Sequence, residues 1–326
     1  MLRPSVSLAF ASSLPRQSVA GRAVQRSPLP RSTSGHVATE ARGMPSHCFI
    51  RFCCVVLLAI TGCSPAAQSR YAPERNFSDP KALALALAAE QGDAEEVRRL
   101  MEVEGVNPDT IFSKDGYPLL FWPIFTHNPT GLKAMLENGA DPNVAKPYPP
   151  EPGRNQTNVS NAMVWAAEQD DPIYLKLLLD HGGDPNTRNA NNETLLFHAL
   201  IKQDKWPNIQ LLVERGADVN ALAGMGGTLI ENYVGTGGFE PAFWLLEHGA
   251  DPRIEYSGRT ATRKLDSRTI TSIYWHPGNP KDPRWQRQCQ QWLLARGYAR
   301  PAMPEHYKRM RKAFHFPSEE KEIPLL

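Results

Sequence analysis

The stretch "LLLDHGGDPN", residues 177–186, joins a leucine-rich run to a Gly-Gly-Asp-Pro-Asn break. Nearly the same phrase returns as "LLVERGADVN" at 211–220 and as "WLLEHGADPR" at 244–253. Aligned by the glycine that ends each run, the phrase occurs five times, at intervals of 34, 43, 34 and 33 residues. A near-constant interval of this length indicates an internal structural repeat. The aligned glycines are Gly105, Gly139, Gly182, Gly216 and Gly249.

The repeated phrase has the composition of a helix and of its termination. In "IYLKLLLDHGGDPN", residues 173–186, the apolar residues cover a broad helical face. Gly182 can adopt the left-handed conformation after the last turn, and Pro185 prevents the helix from continuing. Asp184 and Asn186 favour a turn at this point. The phrase therefore predicts the end of an α-helix followed by the start of a hairpin.

A period of 33 residues with this ending resembles the ankyrin repeat, whose second helix closes with "LLxxGADxN". The family's "TPLH" opening of the first helix survives only in pieces, as "YPLL" at 117–120, "TLLF" at 194–197 and "TLIE" at 228–231. This loss predicts that a stabilising hydrogen-bond network of the family is missing. The resemblance implies an all-α, ankyrin-repeat solenoid of helix-turn-helix units with short hairpin loops and a helical C-terminal cap.

The resemblance also suggests how the chain is divided. Five repeats are expected over residues 79–254, and the long interval contains the proline-rich insertion "KPYPPEPGRNQ" at 146–156. "RQCQQWLLARGY" at 287–298 repeats the ending once more, so residues 255–300 are interpreted as an interrupted sixth repeat that caps the stack. Residues 301–326 form a basic tail. No placement is predicted for residues 255–286.

An apolar segment near the N-terminus predicts export of the chain. In "MPSHCFIRFCCVVLLAITGCS" at 44–64, Arg51 precedes an apolar run that is shorter than the ~20 residues of a membrane-spanning helix. "ITGC" at 60–63 resembles the lipobox of bacterial lipoproteins. That resemblance implies that residues 44–62 are a lipoprotein signal peptide and that acylated Cys63 anchors the chain to a membrane.

The expected location is the periplasm, with the anchor in the outer membrane, because Ser64 stands where an Asp favours inner-membrane retention in that family. An ordinary cleaved signal peptide or a plain apolar helix is the alternative. Residues 63–78 are interpreted as a tether. Residues 1–43, rich in Arg and Ser, superficially look like a transit peptide and are interpreted as a disordered upstream extension.

Charge is distributed unevenly along the exported part. Residues 64–252 contain 14 basic and 26 acidic side chains, whereas residues 253–326 contain 15 basic and 7 acidic ones. This asymmetry concerns partners more than the fold. A periplasmic location argues against nucleic acid as the partner of "YKRMRKAFHF" at 307–316. A solvated helix, a membrane-facing helix and an intramolecular contact with the acidic repeats remain as alternatives.

Candidate partner-binding residues follow from the resemblance. In the family, the residue after the "TPLH" position faces the concave groove, and aromatic side chains there are typical of binding hot spots. The alternative is that the aromatic members pack into neighbouring helices. Carried over, the groove positions are Phe121, Trp165, His198 and Asn232, spaced 44, 33 and 34 residues apart. Candidates at hairpin tips and in the insertion are Lys114, Tyr117, Tyr148, Arg154, Arg188, Asn189 and Asn192.

The sequence predicts neither an enzyme nor a metal or cofactor site. It has no CxxC, no HExxH, no acidic calcium loop and no GxSxG elbow, and "GMGGT" at 224–228 lacks the lysine of a phosphate-binding loop. His181 and His248 directly precede a helix-ending glycine, where a basic side chain meets the last helical carbonyls. Cys289 is left without a partner for a disulfide.

The expected function is protein binding, without a small-molecule substrate and without nucleic acid. Some bacterial ankyrin lipoproteins that this chain resembles neutralise lipase effectors of type VI secretion, and that resemblance implies a role as an immunity protein. The alternative is an envelope adaptor or stress-protective protein, such as those associated with catalase. An immunity protein should bind with a Kd of about 1 nM or less, whereas about 1 μM suffices for an adaptor.

Overall fold

The computed structural model describes residues 72–146, 161–223, 226–278 and 282–326, all of them within the compact unit Pro65–Leu326. The predicted extension, signal peptide and anchor at Cys63 lie outside the described residues, as do Tyr148 and Arg154 of the insertion. Across the described ranges, no helix has both the length and the apolar character needed to cross a bilayer.

Pairs of antiparallel helices follow one another along the described chain, as the repeat predicts. A short helix α1 (Pro73–Asn76) precedes them. The first two pairs are α2 (Pro80–Gln91) with α3 (Ala94–Arg98), and α4 (Trp122–Phe125) with α5 (Pro129–Glu137). The next three are α6 (Ala162–Ala167) with α7 (Ile173–Asp180), α8 (Leu195–Ile201) with α9 (Trp206–Glu214), and α10 (Leu229–Gly235) with α11 (Phe239–Glu247). The sixth is α12 (Arg268–Trp275) with α13 (Arg284–Ala295), and α14 (Glu305–Ala313) follows it.

This arrangement confirms the predicted ankyrin-repeat solenoid. The helix-ending glycines have φ between 67° and 94°, the left-handed conformation expected after the last turn. The residue four positions before the glycine is fully buried in five of the repeats, as expected for the apolar face of the second helix. These residues, each 0% exposed, are Met135, Leu178, Leu212, Leu245 and Leu293.

The expectation that the "TPLH" hydrogen bonds are missing is wrong for the start of the first helix. Thr194 Oγ1 accepts the Phe197 N–H at 3.2 Å, as an N-terminal cap should. The same bond recurs in three other repeats, where Asn and Ser replace Thr at two positions that still carry a capping oxygen. The capping residues are Asn161, Thr194, Thr228 and Ser267.

Residues 255–286, left unplaced by the sequence, contain a strand pair and a helix. The strands β1 (Ile254–Ser257) and β2 (Thr260–Arg263) pair antiparallel, so the described chain is not purely helical. Helix α12 then begins at the cap Ser267 and is the first helix of the sixth pair. The hairpin therefore extends the loop between two repeats and leaves the helix pairs intact.

The C-terminal segment packs against the sixth pair. Tyr307 and Ser272 share a hydrogen bond of 2.6 Å, and Arg311 Nη1 donates to the Trp275 carbonyl at 2.9 Å. Arg311 is only 6% exposed, and burial together with the nearby Arg300 lowers its pKa. Of the alternatives for this tail, the geometry favours an intramolecular contact, although its buried arginine binds backbone carbonyls rather than acidic side chains.

The last residue of the repeated phrase connects adjacent repeats. Asn186 Oδ1 accepts the Asp218 N–H at 2.8 Å, and its Nδ2 donates to the Gly216 carbonyl at 3.3 Å. Asn143 and Asn220 make the same two bonds to the repeats that follow them. These asparagines fix the spacing of neighbouring hairpins, a role beyond the turn that the sequence predicts.

We expect Asn186→Ala to lower the free energy of unfolding by about 1–2 kcal/mol, since it removes two inter-repeat hydrogen bonds and leaves a donor and an acceptor of the next repeat without their partner. Urea unfolding followed by circular dichroism measures the change. Gln291→Ala, an exposed amide on α13, is the control. Equal stability of the two variants would contradict the connecting role.

The series of hydrogen bonds between adjacent repeats ends at Asp251, whose carboxylate accepts hydrogen bonds from two arginines. Arg253 donates to it from Nε and Nη2 at 2.9 and 2.8 Å, and Arg263 Nε donates at 3.0 Å. Burial alone would raise the pKa of Asp251, but the hydrogen bonds from Arg253 and Arg263 outweigh burial and lower it to about 2.

A folded-state pKa below the unfolded value, about 3.9, contributes stability that is complete above that value and is lost as the pH falls towards 2. We therefore expect the stability difference between the native chain and Asp251→Asn to be largest above about pH 4 and to shrink between about pH 4 and 2. Urea titrations at each pH measure it, with the exposed Asp115→Asn as control. A stability difference that does not vary with pH would contradict the stabilisation of the Asp251 carboxylate by Arg253 and Arg263.

Candidate protein-binding surface

Four aromatic side chains meet where the second and third pairs adjoin, and we call Tyr117, Phe121, Phe125 and Trp165 the aromatic patch. The Trp165 ring lies 5.2 Å from Tyr117, 5.3 Å from Phe121 and 5.9 Å from Phe125, measured between centroids. The Tyr117 and Phe125 contacts are edge-to-face, a favourable geometry for aromatic pairs. The patch therefore joins two neighbouring first helices and the hairpin tip before α4.

The members of the aromatic patch differ in exposure. Phe121 is 5% exposed and acts mainly as a buried base for the other rings. Tyr117, Phe125 and Trp165 are half-buried and pack against the core. The structure thus combines the two interpretations of the aromatic residues, since Phe121 packs between helices while Trp165 both packs and remains accessible.

The four groove candidates do not share one repeat position. In the third, fourth and fifth repeats, the groove candidate lies four residues after the residue that caps the first helix. In the second repeat, the capping position is occupied by Pro118. The matching residue there is Trp122, and Phe121 lies one residue earlier. Trp122 is 1% exposed and its Nε1 donates to Glu90 Oε2 at 3.0 Å.

His198 lies in a polar network beneath the surface of α8. Its Nε2 is 3.3 Å from Glu168 Oε2, and its Nδ1 is 3.2 Å from Asn189 Nδ2, which also donates to Glu193. The His198 ring therefore lies between the Asn189 amide and the Glu168 carboxylate. Burial would raise the pKa of Glu168, but hydrogen bonds from His198 and Lys202 outweigh it and the pKa is lowered.

The remaining candidates are held by hydrogen bonds within their own repeats, and Arg188 Nη1 also donates to the Leu222 carbonyl of the next repeat at 3.4 Å. Asn232 is half-buried, and its Nδ2 donates to the Thr228 carbonyl at 2.9 Å. Arg188 is exposed at a hairpin tip, where its Nη1 donates to the Asn192 carbonyl at 2.8 Å. Asn192 has φ of 63° and closes the tip. Lys114 is exposed at the tip that carries Tyr117, whereas Asn189 is buried in the His198 network.

Sequence reasoning missed two surface residues near the candidates. Phe125 belongs to the aromatic patch but lies one turn beyond the position that the family pattern selects. Ile201, at the end of α8, is 50% exposed. Both lie on first helices, so helical spacing from Phe121 and His198 is the signal that could have found them.

The histidines and the cysteine behave as structural residues. His181 Nδ1 lies 2.8 Å from the Leu177 carbonyl and His248 Nδ1 lies 2.7 Å from the Trp244 carbonyl, the helix-end contacts that the sequence predicts. Cys289 is fully buried, and burial raises the pKa of its thiol to about 12. Within the described ranges, no three His, Cys, Asp or Glu side chains are grouped to hold a metal ion.

No protein-family model matches the chain, and no curated protein matches it. Among solved structures, the chain is similar to the ankyrin repeat domain of Bcl-3, a unique member of the IkappaB protein family, at 25% identity. That similarity covers 66% of this chain and 86% of that chain, with a TM-score of 0.47. It is also similar to the ankyrin repeat protein EF0377, at 21% identity, covering 65% of this chain and 96% of that chain, with a TM-score of 0.45.

Proposed function

We propose that this chain binds another protein through the surface of its first helices, with the aromatic patch as the centre of the interface. The observation that carries the proposal is the half-buried Trp165, whose ring is held by three aromatic neighbours and is still accessible. Pre-ordered aromatic side chains lose little conformational entropy on binding, which is why they dominate interface energies.

The charge of the repeats supports a partner with a basic face. Residues 64–252 contain 26 acidic and 14 basic side chains. Near the patch, Glu168 has a lowered pKa and is therefore ionised at neutral pH. Complementary charge would steer such a partner to the first helices and raise the association rate.

The finer proposal is that the chain is a lipid-anchored periplasmic immunity protein, held at the outer membrane by acylated Cys63 and neutralising a lipase effector of type VI secretion. The lipobox-like "ITGC" at 60–63 and the resemblance to bacterial ankyrin lipoproteins support it. An effector must be blocked at its active-site face, and a row of first helices with an aromatic centre suits that contact.

Periplasmic co-expression tests the immunity function. Where a lipase effector is encoded beside this gene, cells that export it should survive when they make the native chain and die when they do not. Cys63→Ser, which cannot be acylated, should protect less if anchoring matters. Equal killing with and without the chain would reject the immunity function. A catalase that is encoded by the neighbouring gene and is bound with a Kd of about 1 μM would favour the adaptor function instead.

Photocrosslinking in cells tests the surface separately. Benzoylphenylalanine at position 125, in the aromatic patch, should form an adduct with the partner. The same group at position 133, an exposed site on the second helix α5, is the matched control and should form none. Adducts at position 133 alone would place the interface on the second helices and contradict the proposal.

A further inference from the structure

The hairpin between the fifth and sixth pairs has one open strand edge. On one side β2 (Thr260–Arg263) pairs with β1, and within the described ranges no strand lies on its other side. Residues 257–266 are all exposed, so no described element of the protein covers this side of the hairpin. An open strand edge is able to pair with a strand of another molecule.

The hydrogen bonds of the hairpin show which backbone groups its open edge offers. In an antiparallel pair, every second residue bonds across to the other strand, and the residues between them point their N–H and C=O groups the other way. The Lys264 N–H donates to the Arg253 carbonyl at 2.9 Å, so Thr262, two residues earlier, also bonds to β1. Ala261 and Arg263 therefore point their backbone groups outward, and outside the hairpin itself neither makes a backbone hydrogen bond to a described residue.

The charged side chains of β2 and of the residue after it do not protect this edge. Exposed Lys and Arg side chains usually blunt a strand edge because their charges repel a second copy of the strand. Here Arg263 Nε lies 3.0 Å from Asp251 Oδ2. Lys264 Nζ lies 2.6 Å from Glu255 Oε2, so both positive charges are compensated beside the strand. The edge therefore remains competent to pair.

The sequence of β2 matches a second copy of itself in one antiparallel register. Two copies bond only where an outward residue of one faces an outward residue of the other. Pairing Ala261 with its own copy would put Arg263 opposite Arg259, and pairing Arg263 with its own copy would put two guanidinium groups opposite each other. Like charges directly opposite are destabilising. Pairing Ala261 with Arg263 avoids both and places Thr262 opposite its own copy, a favourable threonine pair.

We propose that two copies of this chain associate through the outer edges of β2 and form a four-stranded antiparallel sheet with Thr262 of each copy at its two-fold axis. Ala261 of one copy exchanges two backbone hydrogen bonds with Arg263 of the other, and the symmetry repeats this pair. The contact is much smaller than the roughly 1,200 Å² buried by stable interfaces, so the dimer is weak, with a Kd of about 1 mM. It is independent of the proposed partner, because the hairpin and the aromatic patch belong to different repeats.

Disulfide trapping of the full chain tests the register. Facing residues that exchange no hydrogen bonds have Cα atoms about 4.5 Å apart, a distance that a disulfide spans. Thr260→Cys, exposed on the same face of the same strand, is the matched control for Thr262→Cys, because its two copies would lie about 14 Å apart. With oxidised glutathione as the oxidant, Thr262→Cys should form linked dimers at least about tenfold faster than Thr260→Cys. Mass spectrometry of the linked peptides distinguishes position 262 from the cysteines near the N-terminus.

Ala261→Pro tests the backbone hydrogen bonds. It removes one outward N–H and leaves the bonds between β1 and β2 in place, since proline is tolerated where the N–H of an edge strand faces solvent. In the Thr262→Cys chain it should slow the formation of linked dimers about fivefold or more. Equal rates for Thr260→Cys and Thr262→Cys, or a rate that Ala261→Pro leaves unchanged, would overturn the inference.

Hydrogen exchange of the native chain tests the same contact without any substitution. The amides of Ala261 and Arg263 should exchange more slowly at about 1 mM protein than at about 0.02 mM, whereas the Thr262 amide, already bonded to β1, should change less. Exchange rates that do not depend on protein concentration would overturn the inference, and slower exchange only after a partner protein is added would assign the edge to that partner instead. These results do not affect the crosslinking and survival tests, so the two proposals fail separately.

Discussion

Replacing Gly131 with alanine is expected to destabilise the fold by at least about 2 kcal/mol, although alanine is the better helix former by about 1 kcal/mol. Gly131 lies in the first turn of α5, where the helix crosses the end of α2. A Cβ atom there would fall on the Ala89 carbonyl oxygen and within 2.6 Å of its carbon. Because both partners are backbone, no side chain can rotate to relieve the clash.

The contact at Gly131 is fixed from both sides. Asn128 Oδ1 accepts the Gly131 N–H at 3.0 Å, and Asn128 Nδ2 donates to the Glu90 carbonyl at 3.0 Å. One side chain thus caps α5 and fastens it to α2. A shift that accommodates a methyl group at Gly131 would break this connection as well, so the clash and the lost hydrogen bonds add.

Gly235→Ala is the matched control, because Gly235 is also helical and a Cβ there meets nothing within 4 Å. We expect it to raise the free energy of unfolding by about 0.5–1 kcal/mol, the opposite sign to Gly131→Ala. Thermal unfolding followed by circular dichroism compares the two. A Gly131→Ala chain that melts at or above the native temperature would show that the crossing of α5 and α2 is looser than the structure indicates.

Local signals account for the part of the fold that the sequence predicts well. A leucine run, a left-handed glycine and an Asp-Pro turn lie within ten residues of each other, so each second-helix ending is recognisable without knowledge of the rest of the chain. The first helices are harder to place, since their caps at Asn161 and Ser267 are not threonine and do not match the family pattern. Ser267 is the signal that could have placed α12.

The position of individual side chains needed more than spacing. Gln203 and Asp204 both have positive φ, because the fourth repeat has one more residue than the third and the fifth between its cap and its glycine. In the second repeat the proline at the cap shifts the register by one, which is why the pattern selects Phe121 rather than Trp122. The burial of Arg311 against backbone carbonyls likewise depends on how the tail folds back, which charge alone does not predict.

Replacing Trp165 with alanine is expected to weaken binding of the partner at least about tenfold, equivalent to 1.4 kcal/mol or more. The substitution removes the accessible ring and the three aromatic contacts that hold it in place. Isothermal titration with the protein identified by co-expression or crosslinking measures the change. Trp165→Phe, which keeps a ring between Tyr117 and Phe125, should recover part of the affinity.

Trp292→Ala separates loss of binding from loss of fold. Trp292 is also half-buried on a helix, lies under Arg296 at 3.7 Å, and belongs to α13, a second helix remote from the patch. Both variants lose a comparable ring, so similar melting temperatures with a binding defect only for Trp165→Ala would locate the interface on the aromatic patch. Equal affinity of the two variants would remove the patch from the interface, because a central tryptophan cannot be deleted from a hot spot without loss of affinity.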